Sequence, residues 1–148
     1  MPKSRPWHAP EHIFLSSQYT LVQAKKMDIF SFGMLCFWLM FEQYLSMNIA
    51  LPPEASWAEQ YLQDSSERGQ SLPLLDELKN KDSFLLLSEL LTAAQHDLDG
   101  DQQQALSILF NSCLRCKPDE RASDLRQTFG RFIPEEYVAA LISFIEFI

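Results

Sequence analysis

The sequence predicts an all-α chain, on three observations. Glycine is scarce, with four in 148 residues, and no Asn-Gly or Asp-Gly pair sits between alternating runs, so β-hairpins are poorly signalled. The most apolar stretch, Ile29 to Phe41, reads as one core helix. Near the other end, Leu106, Leu109, Phe110 and Cys113 recur at helical spacing. A hydrophobic fraction of 47% and an aromatic fraction of 12% are enough to build a core, and the length suits one domain.

Met1 to Thr20 carries three prolines and few periodic apolar positions, so it is expected to be extended loop. The central helix is expected over about 28–43. Asp28 stands at its N-cap, where a carboxylate can accept hydrogen bonds from the unpaired N–H groups of the first turn. "IFSFGMLCFWLMF" has only Ser31 and Gly33 as non-apolar positions, and a helix apolar on all sides has to be surrounded by protein. At 13 residues it falls short of the ~20 needed to span a bilayer, so no membrane insertion is expected.

"NIALPPEAS" reads as a Pro-rich linker, followed by helical stretches at Trp57 to Leu62 and Leu74 to Leu91. "DLDGD", residues 97–101, breaks the pattern and places acidic residues at the start of an amphipathic helix that runs to about Cys116. Pro118 stops that helix. Ser123 can cap a short helix through Phe129, and Pro134 suits the first turn of a last apolar helix over 134–148.

The formal charge of −8 argues against a nucleic-acid partner, which needs a basic face for phosphates. Three cysteines make no disulfide framework and nothing at Met1 resembles a secretory signal, so a cytoplasmic or otherwise intracellular setting is expected.

Several short motifs fail on chemical grounds. His8-Ala-Pro-Glu-His12 spells the H-x-x-E-H of a zinc peptidase, but Pro10 disfavours the helix turn that would align both imidazoles. Cys113-Leu-Arg-Cys116 lacks a second pair to complete four ligands. Asp97 to Asp101 resembles a calcium loop, yet neither register supplies a bidentate glutamate at its twelfth position. No nucleophile elbow and no glycine-rich phosphate cradle occurs. No catalytic, cofactor-binding or metal residue is therefore assigned.

Three separated stretches are informative together: "WHAPEH" at 7–12, "KKMDIFSFGMLCFWLM" at 25–40 and "CLRCKPDERASDLRQ" at 113–127. In order and spacing they resemble the eukaryotic protein kinase family, in its C-terminal lobe from the end of the activation segment onward. The wording of 29–41 is similar to a fungal branch of that family. The resemblance implies a helical C-lobe portion over 1–133, with a C-terminal apolar helix over 134–148.

It further implies structural roles for Glu11, Asp28, Gly33 and Arg121. Glu11 would pair with Arg121 to tie the activation segment to the helical subdomain, and Asp28 would anchor the catalytic-loop backbone. Arg5, Pro6 and Trp7 would lie in a substrate-facing loop.

The family transfers the γ-phosphate of ATP to protein hydroxyls with magnesium, using a glycine-rich loop, a strand lysine, H-R-D and D-F-G. None of these occurs here. The expectation is a C-lobe fragment of a truncated product, inactive alone. The alternative is a non-catalytic interaction or scaffold module. Either way the expected partner is the missing kinase portion, or another protein bound through exposed apolar surface.

Overall fold

The computed structural model describes residues 7–13, 18–45, 49–62 and 76–124. Of these, 73% are helical and none is in a strand, which makes the described chain all-α. Helices whose bounds both lie within the described residues are α1 (Leu21–Leu45), α2 (Glu59–Leu62), α3 (Ser83–Ala93) and α4 (Gly100–Cys113), and residues 76–79 are helical as well. Short 3-10 turns stand at Pro10–Ile13, Pro53–Ala58 and Pro118–Glu120. The expected helices through Phe129 and over 134–148 lie outside the described residues, as do Arg5 and Pro6.

Helix α1 begins about two turns earlier than the sequence suggested, because Thr20 starts it. The Thr20 hydroxyl accepts from the backbone N–H of Gln23 at 3.2 Å, and the Gln23 amide oxygen accepts from the N–H of Thr20 at 2.9 Å. This reciprocal exchange satisfies two donors that a helix start leaves orphaned. Asp28 is consequently a residue of the helix body and not its N-cap. At 25 residues α1 is about 37 Å long, with a kink at Phe41, where φ is −121° and ψ is 17°.

Phe37 is the hub of the core. Its ring meets Phe41 from the same helix, Phe84 from α3 and Phe110 from α4, at centroid distances of 5.1, 5.4 and 6.2 Å. All three contacts are edge-on, the arrangement that aromatic quadrupoles favour. Phe30, Leu87, Leu91 and Leu114 close the same cluster without measurable exposure or nearly so. Helix α4 packs against both α3 and α1, so it is the plate that joins them.

Only one side of α1 enters this core. Met27, Phe30, Met34, Phe37 and Phe41 are buried, while Leu35, Trp38, Leu39 and Met40 face solvent. The expectation of a helix enclosed on all sides is therefore corrected. A uniformly apolar stretch has no periodicity to say which side faces inward, and among the described residues α3 and α4 suffice to cover just one.

Two other expectations change. The Pro-rich stretch is no solvent linker: Pro53–Ala58 forms a 3-10 turn whose Ala55 and Ala58 are fully buried against α3. The stretch from Leu74 to Leu91 is broken at 80–82, where Asp82 adopts the left-handed conformation with φ at 52°. Aspartate tolerates that region better than most side chains. Inside α3, the buried hydroxyls of Ser88 and Thr92 donate back to the carbonyls of Leu85 and Ser88, each at 2.7 Å.

Candidate functional site

The most organised polar centre lies where the Pro10–Ile13 turn, α1 and the segment after α4 converge. The Arg121 side chain is fully buried and the Glu11 side chain is 17% exposed; Arg121 does the donating. Its two terminal nitrogens donate to the two Glu11 carboxylate oxygens at 2.6 and 2.8 Å, a planar fork on a planar acceptor. The remaining donors are also used. Nε donates to the Arg115 carbonyl at 2.7 Å, and the terminal nitrogens donate to the carbonyls of Lys26 at 3.0 Å and Cys116 at 2.8 Å. The guanidinium lies 4.8 Å over the ring of Phe30, a cation–π contact.

Local backbone explains how those carbonyls become available. Helix α4 ends at Cys113, earlier than the expected Cys116, with Leu114 leaving helical geometry. The carbonyls of Arg115 and Cys116 then turn toward the guanidinium instead of continuing the helix ladder. Pro118–Glu120 folds the chain back, and the N–H of Ala122 returns to the Ser112 carbonyl at 2.9 Å.

Lys26 completes the centre. Its ammonium donates to the carbonyls of Arg121 and Ala122 at 2.6 and 3.1 Å, while its own carbonyl accepts from Arg121. The two residues thus bind one another's backbone across 95 positions. Sequence reasoning missed Lys26, since a surface-patterned "KK" pair gives no sign of a half-buried contact 95 positions away.

What this centre can do follows from its saturation. All five guanidinium N–H donors are engaged within the protein, which leaves none for a phosphate or carboxylate ligand. It is a clasp that holds three segments together.

The other sequence-derived candidates are scattered around it. Gly33 marks the α1–α4 crossing, where a Cβ would stand 2.6 Å from the Cys113 Cβ and 2.9 Å from a Leu114 methyl. An isolated glycine inside an apolar helix was the available signal for that close approach. Asp28 lies on the exposed side of α1, and its carboxyl is held above the usual range by partial desolvation. Trp7 is half-buried and meets Trp38 edge-on at 6.3 Å.

The zinc reading fails in geometry. Glu11 is committed to Arg121, and the His8 and His12 rings stack at 4.1 Å. Among the described residues no three His, Cys, Asp or Glu side chains are grouped to hold a metal ion.

The cysteine pair is divided between environments. Cys113 is buried, and burial pushes its thiol up to about 12, as it does for Cys36. The Cys116 thiol is half-buried and donates to the Asn80 carbonyl at 3.2 Å. All three cysteines are free. The calcium-like run is a helix start: Asp99 caps α4 by accepting from the Gln102 N–H at 2.8 Å, and Gln102 returns the bond to the Asp99 N–H at 3.0 Å.

No helix among the described residues is long and apolar enough to cross a membrane. Compared with known proteins, the chain matches no family model, no curated protein and no solved structure.

Proposed function

We propose that the chain is the helical C-lobe portion of a protein kinase-like fold, without phosphoryl transfer of its own. The observation that carries the reading is the Glu11–Arg121 fork. It joins an Ala-Pro-Glu triplet to the arginine of a Pro-x-x-Arg turn beside a large apolar helix, the three features on which the sequence resemblance rests.

Nothing among the described residues is arranged to hold ATP or magnesium. Arg121 has no donor to offer a phosphate, and the described carboxylates do not converge on a metal position. In this reading those groups belong to the rest of a kinase fold. Three free thiols suit a reducing, intracellular compartment.

An experimental structure of the full chain tests the proposal. The expected result is that α1, α3 and α4 superpose on the helical lobe of a protein kinase with the Glu11–Arg121 pair in the corresponding place. A different helix connectivity overturns it. Titration with ATP and Mg²⁺ is the second arm: no binding is expected, and saturable binding removes the non-catalytic half of the reading.

A second reading, a non-catalytic interaction module, is favoured by one observation: the outer side of α1 presents Leu35, Trp38 and Leu39 to solvent.

A further inference from the structure

The outer side of α1 is a stripe with chemically defined ends. Leu35 and Leu39 stand one helical turn apart and are 42% and 61% exposed. Trp38 flanks them at 39% exposure, with its ring braced edge-on by Trp7. A partly exposed indole is the kind of side chain that anchors an interface, and the two leucines extend the apolar surface around it. At either end stands an exposed acid, Asp28 and Glu42, fourteen positions apart along the helix. Neither makes an ion pair or hydrogen bond among the described residues. Lys25 is exposed one turn before Asp28 and is not bonded to it.

From these residues we infer that the outer face of α1 docks an amphipathic helix of another protein. That helix carries an apolar stripe with a basic side chain at each end, the second placed to meet Glu42 just past the kink at Phe41. Such a partner sets leucine-like side chains against Leu35, Trp38 and Leu39 and a cation against each acid. This is the helix-packing mode of recognition, with charge fixing register and orientation.

The charges also decide between occupants. A second copy of the chain would lay its own α1 stripe on this one. Antiparallel pairing sets Asp28 against Glu42 at both ends, and parallel pairing sets each acid against itself. Like charges meet in both cases, on a chain whose formal charge is already −8. The partial desolvation of Asp28 points the same way, because a cation there offsets the cost of holding its charge beside apolar surface.

This inference rests on the interaction-module reading and does not need the kinase-like lineage. A different helix connectivity would remove the lineage, while the binding results below bear on the docking face alone.

The test uses the full chain and a fluorescein-labelled 18-residue helical peptide. The peptide has leucines at i, i+3, i+7 and i+10 and a lysine at each end of that stripe. Fluorescence anisotropy is expected to show saturable binding that weakens at least tenfold with Leu39→Asp and weakens with added salt. A peptide with glutamates at the same two positions is expected to bind at least tenfold more weakly. The double variant Asp28→Lys, Glu42→Lys is expected to reverse that preference.

Circular dichroism checks that Leu39→Asp, at an exposed position, keeps the helix content. The charge-swap variant tests the face without touching its apolar residues. No peptide binding overturns the inference, as does equal affinity for both peptides with or without the charge swap. Self-association of the unliganded chain that Leu39→Asp abolishes also overturns it, assigning the face to a second copy.

Discussion

Glu11 and Arg121 meet as two forks, 110 positions apart in sequence and 2.6 to 2.8 Å apart in space. Arg121 is fully buried and Glu11 mostly so, at 17% exposure, so the loss of either is asymmetric. Replacing one partner strands the other in a place from which water is excluded.

Arg121→Ala should therefore destabilise the chain by about 3–5 kcal/mol, read as a shift in the urea midpoint. Glu11→Gln should cost less, because its amide still accepts one bond. Arg121→Lys should fail as well, since an ammonium cannot reproduce a planar five-donor array. The double variant should lose less than the two single losses combined. Additive losses would show that the two side chains act independently.

Gly33→Ala tests the helix crossing. In an isolated helix, alanine would gain about 1 kcal/mol over glycine. Here its methyl would meet the Cys113 Cβ at 2.6 Å, an atom fixed to backbone, so α1 and α4 must separate. Overpacking of this kind typically costs about 1–3 kcal/mol, and a net lowering of the thermal midpoint is expected. A raised midpoint would place the two helices farther apart than described.

Alkaline stability should follow the buried thiols. Cys36 and Cys113 have folded-state values pushed from 9.0 up to about 12 by burial. A raised value means that the stabilisation is fully present below pH 9 and is lost as pH climbs from there through about 12. Urea midpoints should fall across that window, and Cys36→Ala should reduce the slope. In the native chain at neutral pH, a thiol reagent should label the half-buried Cys116 ahead of Cys36, whose thiol is the more desolvated of the two, and Cys113 only on unfolding. Equal labelling of all three would contradict the burial of Cys113.

Asp99→Ala should weaken the start of α4 by about 1 kcal/mol, while Asp99→Ser should be nearly neutral. The cap anchors the helix that joins α1 to α3, so the loss should appear in global thermal unfolding and not only as fraying.

The parts of this architecture that could be read beforehand were those with a periodic or punctuated signal. Leu106 to Cys113 lies on α4, and the acidic run before it supplies the cap. Glu11 and Arg121 were brought together only by a family resemblance, since no local pattern links positions so far apart.

The start of α1 was legible but overlooked: Thr20-Leu-Val-Gln23 is a capping-box spacing, masked by the more conspicuous Asp28. Which side of α1 faces inward was not legible at all, because apolar residues surround it and tertiary packing alone makes the choice. The turn at 80–82 depended on a distant partner, as Asp82 accepts from the Cys116 N–H and so holds a backbone shape that local propensity would not select.

The clasp also has a bearing on biosynthesis. Its final member leaves the ribosome only after all of α1, α3 and α4 have emerged, so the greasy helix made early must wait for a distant arginine before its surroundings lock. Contacts of such long sequence separation form slowly, and in that interval the apolar surface of the early helix stays open to non-native association.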